Sequence, residues 1–164
     1  MKRLMPFLLC LFLLIGCAVS AQNTYHHPAF TASLPSSFEP VDTASIVCFA
    51  PHGNPQLSSS ITFYATEQNW YFDSFSVEEY EDALQTICGY ESLSVEQIKP
   101  CRVDGFEARR ISCKVLLEQG THDLILYAVN AGQTYFFTLL NRESDDYIAA
   151  FDAMMSTIQF TEGK

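Results

Sequence analysis

The sequence predicts an α+β domain built on one antiparallel β-sheet flanked by helices on both faces, an α/β/α sandwich. Three observations lead there. From Phe106 onward, successive strand patterns are joined by tight-turn sequences: Asp104-Gly105, then Gly120, then Asn130-Ala131-Gly132-Gln133. The last two strand patterns are apolar on both faces. Leu124, Leu126 and Ala128 alternate with Ile125, Tyr127 and Val129, and Tyr135, Phe137 and Leu139 alternate with Phe136 and Leu140. An antiparallel sheet with one wet face would alternate apolar with polar, so two apolar faces require two covers. Two amphipathic helix patterns, beginning at Ser76 and near Ser144, are available to supply them.

In chain order, Phe30-Thr31-Ala32-Ser33-Leu34 alternates and then meets Pro35, the pattern of a short strand. Ile46-Val47-Cys48-Phe49 is a second strand, and Pro51 to Pro55, with Gly53 and Asn54 inside, is a loop. Ser60 to Thr66 is a third, with Ile61 and Phe63 on one face and Tyr64 on the other. Ser76 and Glu79 form a capping box, Phe75 is placed to staple onto Tyr80, and Gly89 is the expected terminator. Between them Val77, Tyr80, Leu84, Ile87 and Cys88 make the apolar stripe. Glu78, Glu81, Asp82 and Gln85 make the opposite face, read as a solvated one. Residues 93–101 carry no clear period, and Pro100 argues against a continuing helix. Ile111, Cys113 and Val115 share a face of the next strand. The final helix is expected near Ser144 to Met155. Ser144 would cap it, Asp145 and Asp146 would complement the helix dipole, and Tyr147, Phe151, Met154, Met155 and Ile158 would be buried.

Several of these segments together resemble a known family. They are the opening Phe30-Thr-Ala-Ser-Leu-Pro-Ser-Ser-Phe38, the turn Val103-Asp-Gly-Phe-Glu-Ala108, the strand Gln133-Thr-Tyr-Phe-Phe-Thr-Leu139, and Asp145-Asp146-Tyr147 opening a helix that ends in Met155-Ser-Thr-Ile-Gln-Phe160. The pattern, over about residues 28–161, is similar to the PsbP-like family, including bacterial envelope lipoproteins of the DcrB and LpqN type. The resemblance implies an antiparallel sheet sandwiched by helices, no catalytic machinery, and an accessory or binding role; no cofactor is expected. It assigns no role to the cysteines.

The chain's address is written at its beginning. Lys2 and Arg3 precede an apolar run from Leu4 to Ile15, interrupted by Pro6. Twelve residues are too few to span a bilayer, which takes about 20, and suit a secretory signal. Two processing patterns compete. Leu14-Ile15-Gly16-Cys17 resembles a lipobox, in which Cys17 is lipid-modified and becomes the new N-terminus; Val19-Ser20-Ala21 fits ordinary cleavage after Ala21. The lipobox is the more specific, because it demands a cysteine at one place. The organisation that follows is a signal segment over 1–21, a linker over 22–28 and one domain over 29–161. The localisation is extracytoplasmic, either membrane-anchored by lipid or secreted and soluble. Of the 9 basic residues, Lys2 and Arg3 leave with the signal, so 7 remain against 19 acidic ones, a formal charge of −12. Nucleic acid would repel such a chain. With 13 Phe and 8 Tyr there is ample material for a core.

No familiar catalytic signature is present: no phosphate-binding glycine loop, no His-Glu-x-x-His, no Gly-x-Ser-x-Gly, no Cys-x-x-Cys. Cys48 and His52 are four apart, but Cys48 lies in an apolar strand, where a thiol is inert. His26-His27 reads as a polar tail at the edge of the linker, and His122 has no identifiable partner. Cys48, Cys88, Cys101 and Cys113 stay in the domain under either processing scheme. They are possible disulfide partners outside the cytoplasm and equally good small core residues. If Asp104-Gly105 is a two-residue turn, Cys101 faces Ala108 and a 101–113 bridge is the least expected. The functional expectation is a non-enzymatic envelope module that binds an envelope protein or a small ligand. A small hydrolase with an unrecognised site and a purely structural envelope protein are the alternatives. Replacing Cys17 (Cys17→Ala) is expected to move the protein from the membrane fraction to the medium, and unchanged fractionation would rule out the lipid anchor.

Overall fold

The computed structural model describes residues 23–43, 46–51, 58–67, 69–142 and 147–161. The expected signal segment with Cys17 and Ala21, His52 with most of the Pro51–Pro55 loop, and the expected helix cap Ser144-Asp145-Asp146 lie outside the described residues. Among the described residues ten strands and two α-helices run in the order β1 (Asn23–His26), β2 (Phe30–Leu34), β3 (Phe38–Val41), β4 (Val47–Pro51), β5 (Ser60–Thr66), α1 (Val77–Cys88), β6 (Leu93–Val103), β7 (Phe106–Leu117), β8 (Gly120–Asn130), β9 (Thr134–Asn141), α2 (Ile148–Met155) and β10 (Gln159–Phe160). A 3-10 turn at Phe72–Ser74 precedes α1.

The main sheet has seven strands in the order β3-β4-β5-β9-β8-β7-β6, all its pairings antiparallel. Its central strands carry the two apolar faces read from the sequence. Leu124, Leu126, Ala128, Phe136 and Leu140 enter one core, while Ile125, Tyr127, Val129, Tyr135, Phe137 and Leu139 enter the other. The Asp104-Gly105 turn has the two-residue geometry that requires positive φ at both positions, +48° and +84°. It sets the register in which Cys101 faces Ala108.

The covers correct the expected sandwich. Helix α1 lies on one face, with Tyr80 and Leu84 buried among Leu93, Ile111, Cys113, Val115, Leu124 and Leu126. The opposite face is not clothed by a helix alone: a second, three-stranded sheet of order β1-β2-β10 packs there, with α2 beside it. The architecture is therefore mostly β with one helix on each side, and not a helix-flanked α/β/α sandwich. The reason lies in strand length. β1 is polar in sequence, β10 has two residues, and neither is long enough to display a period. Asn23–His26, expected within a linker, pairs along β2 from Asn23↔Leu34 to His26↔Thr31. Phe30 anchors the small sheet, with ring centroids 5.0 Å from Phe137, 5.5 Å from Phe63 and 6.1 Å from Phe160.

Helix α1 follows its sequence signals. The Ser76 hydroxyl accepts from the Glu79 amide (3.2 Å), the Glu79 carboxylate accepts from the Ser76 amide (2.7 Å), and Phe75 meets Tyr80 with centroids 5.4 Å apart. Gly89 closes it at φ +72°, its amide donating to the Gln85 carbonyl. The acidic face is not simply solvated. Glu81 accepts from the Val95 amide (2.7 Å) and Gln85 donates to the Leu93 carbonyl (3.3 Å), which fastens α1 to the start of β6. Val77, placed on the stripe by spacing, is 49% exposed. On the other side Arg110 grips Asp152 of α2 with two bonds of 3.0 and 3.1 Å, and the Tyr127 hydroxyl donates to the same carboxylate (2.8 Å).

β6 resolves the unclear stretch as an eleven-residue edge strand. Pro100 is tolerated there because an edge strand has one unpaired side, and the register shifts between Val95 and Gln97. Removing the Phe30 ring (Phe30→Ala) should lower unfolding free energy by about 3–5 kcal/mol in urea denaturation. A loss below about 1 kcal/mol would mean that the small sheet does not seal the main one.

Candidate functional site

Helix α1 covers the β6–β8 half of the sheet and stops at Gly89, where the left-handed residue turns the chain away. Beyond that stop, part of the sheet is left as the floor of a cleft of about 280 Å³. Thr62 and Tyr64 of β5, Thr138 of β9 and Leu124 of β8 form the floor. Ile87, Cys88 and Tyr90 form the helix-side wall, and Ile46, 50% exposed, forms the rim. Strand register places these residues together: Thr62 stands opposite Thr138, and Leu124 opposite Leu140.

Four of the five polar groups of the cleft are tied to one another in pairs. The Thr62 and Thr138 hydroxyls share a hydrogen bond. The Tyr64 hydroxyl lies 3.3 Å from the Cys88 sulfur, and its ring stacks on Phe136 at 5.1 Å and 12°. Burial, then the neighbouring Cys88, lifts the Tyr64 phenol beyond the ordinary tyrosine range. Burial pushes the Tyr90 phenol up to about 12, with Cys88 adding to the rise and Arg142 opposing it. The Cys88 thiol is raised by burial, and its hydrogen bond to Tyr64 pulls the other way. At neutral pH every one of these groups is uncharged. A nucleophilic thiol needs a lowered pKa and a base, and this one has a raised pKa and a phenol. The arrangement does not lower the Cys88 pKa as nucleophilic activation requires.

The four domain cysteines are free thiols. Cys113 is fully buried on the α1 side, pushed up to about 12 by burial. Cys48 faces the same side, opposite Thr62, and burial raises it too. Cys101 packs against the other core, so the sheet stands between it and Cys113. Of the histidines, His27 is half-buried rather than part of a tail: it stacks on Phe30 at 4.7 Å and its Nδ1 accepts from the Ala29 amide. Burial lowers its pKa. His122 is buried, and neither ring nitrogen has a hydrogen-bond partner among the described residues. No group of three or more His, Cys, Asp or Glu among the described residues could hold a metal ion.

Sequence reasoning did not find Thr62, Tyr64, Thr138 and Tyr90 as a group. A faint signal existed, in that Thr138 interrupts the otherwise apolar run Tyr135–Leu140. Two further depressions of about 360 Å³ each are more open. One lies under Trp70–Ser74, where Arg109 sits 4.9 Å from the Phe72 ring and pairs with Asp73 (2.7 Å) and Glu107 (3.1 Å); the other runs along β3 and β4.

No family model and no curated protein sequence matches this chain. Solved structures do. The solution structure of cyanobacterial PsbP (CyanoP) from Synechocystis sp. PCC 6803 superposes with a TM-score of 0.64 at 14% identity, covering 88% of this chain and 96% of that one. The fold is PsbP-like. A second PsbP-like match is LpqN of Mycobacterium tuberculosis, a protein involved in cell envelope biogenesis, with a TM-score of 0.53 at 9% identity over 85% of this chain and 90% of that one. A Bacteroides thetaiotaomicron VPI-5482 protein matches at 0.50 and 12% identity, over 86% of this chain and 49% of its own. At these identities the likeness establishes the PsbP-like fold and no residue roles.

Alkylation by iodoacetamide tests the cleft electrostatics, because the thiolate is the reacting species. A raised Cys88 pKa keeps its rate below that of a small free thiol at pH 8, and the rate should still be climbing through pH 9. The variant Tyr64→Phe removes the hydrogen bond that lowers the Cys88 pKa, so it should react more slowly at the same pH. A rate that levels off below pH 8 would contradict this description.

Proposed function

We propose that this chain is an exported, non-enzymatic binding module, held at the membrane by a lipid on Cys17, that presents the cleft at the end of α1 to an envelope component. One observation carries the reading: the titratable groups of the cleft are held neutral by burial, with Tyr64 and Cys88 bonded to each other, leaving apolar walls and hydroxyls to face a guest. The likeness to LpqN, a protein of cell envelope biogenesis, supports an envelope setting. The formal charge of −12 after loss of the signal keeps such a module soluble and away from nucleic acid.

The fold bears on the tether. The first strand begins at Asn23, so six residue steps separate it from Cys17, a reach of at most about 20 Å. A lipid on Cys17 would therefore keep the domain against the bilayer. Ordinary cleavage after Ala21 would give the same domain in soluble form.

Native mass spectrometry of the protein extracted from its own membranes tests the reading. A noncovalent adduct is expected on the native protein and should vanish in Ile87→Glu, which puts a charge into the cleft wall. It should persist in Tyr71→Glu, on the far side of the α1 face. Its mass should stay constant over hours of incubation. No adduct on the native protein, or an adduct converted to a product of different mass, would contradict a non-enzymatic binding role.

A further inference from the structure

We infer that the cleft at the end of α1 takes an uncharged molecule with an apolar body and a hydrogen-bond acceptor, such as a ketone, ester or ether oxygen. The inference rests on the reading of this cleft as the binding site and goes on to name the chemistry of its guest.

Three features of the lining lead to this class. None of the eight lining residues carries a formal charge, and Ile46, Ile87, Leu124 and the rings of Tyr64 and Tyr90 give it apolar walls. A charged guest would be desolvated there without a partner, a heavy penalty, whereas an apolar body gains by leaving water. Arg142 is the cation that acts on Tyr90. Its guanidinium donates to the Ser58 carbonyl (3.1 Å) and the Gln119 side-chain oxygen (2.5 Å), and it is not one of the residues that line the cleft.

The third feature is a surplus of donors. The Thr62 and Thr138 hydroxyls carry two hydrogens and spend one on their mutual bond, which leaves one to donate. The Tyr64 hydroxyl and the Cys88 thiol likewise share one bond and keep one hydrogen. The Tyr90 hydroxyl has no hydrogen-bond partner among the described residues. A guest oxygen that accepts satisfies these groups, and the raised phenol and thiol pKa values keep their hydrogens in place at neutral pH. Lone pairs also remain on these hydroxyls, but a donor left unsatisfied in a buried site is the rarer case, so an acceptor on the guest matters more than a donor.

Two naphthalene dyes of similar size test this on the mature protein. Prodan is neutral and bears a ketone; 1-anilinonaphthalene-8-sulfonate is anionic. Prodan should bind saturably with a blue-shifted emission, and the sulfonate at least about tenfold more weakly. Saturating Prodan should slow the reaction of Cys88 with N-ethylmaleimide at least about fivefold by peptide mapping, while Cys101 on the opposite face reacts unchanged. The double variant Thr62→Val/Thr138→Val should weaken Prodan by about fivefold or more and leave neutral N-phenyl-1-naphthylamine, which lacks the ketone, unaffected. Equal or tighter sulfonate binding with Cys88 protected would overturn the ligand class and leave the cleft as the site. Failure of every dye to protect Cys88 would overturn the cleft itself. Should the double variant fail to fold, as judged by circular dichroism, the dye ratio and the Cys88 protection decide by themselves.

Discussion

Everything in this molecule follows from a sheet whose central strands are apolar on both sides. β8 and β9 send Leu124, Leu126, Ala128, Phe136 and Leu140 one way and Ile125, Tyr127, Val129, Phe137 and Leu139 the other. At about 25 cal/mol per Å² of apolar surface, leaving either face to water would cost more than a domain of this size has to spare. Each face is covered by a different device. α1 lies across one, locked by its capping box and by Glu81 and Gln85 reaching to β6. The three-stranded sheet and α2 close the other, through the Phe30 cluster and the Arg110–Asp152–Tyr127 junction.

The cleft arises from the same constraint. One helix of twelve residues cannot cover seven strands, and Gly89 ends it where the floor turns from aliphatic to hydroxyl-bearing. Where the cover stops, Thr62 and Thr138 replace the leucines found under the helix, and they bond to each other. The pair spends one hydrogen on its mutual bond and keeps one to donate to whatever fills the cleft. The site is thus the unroofed remainder of a core. This explains why its phenols and thiol are held neutral: they belong to the core by burial and to the cleft by position.

The legible parts of the sequence were those with long periods or strong local chemistry. The strands from Phe106 to Leu140, the Asp104-Gly105 turn with Cys101 opposite Ala108, and the capping box and Gly89 of α1 all stand as read. The small sheet was not legible. Asn23–His26 looks like a polar tail, and Gln159–Phe160 is too short to show alternation. Their strand character comes from pairing with Phe30–Leu34, a tertiary contact without local signal. That is why a second helix was given the whole of a cover it only shares. The cleft was hidden for a related reason: its residues come from four strands or loops and one helix end, and only register brings Thr62 beside Thr138. Of the chemistry the sequence did show, His52 lies outside the described residues, and the adjacent histidines at 26 and 27 do not gather into a metal site among the described residues.

The central claim, that a second sheet and not a helix alone seals the far face, is tested most directly by nuclear Overhauser contacts in solution. The structure requires cross-peaks from the Phe30 ring to the rings of Phe137, Phe63 and Phe160, and none from Phe30 to Phe136, which points to the other core. A Phe30 ring without contacts to Phe137, or in contact with Phe136, would contradict the account.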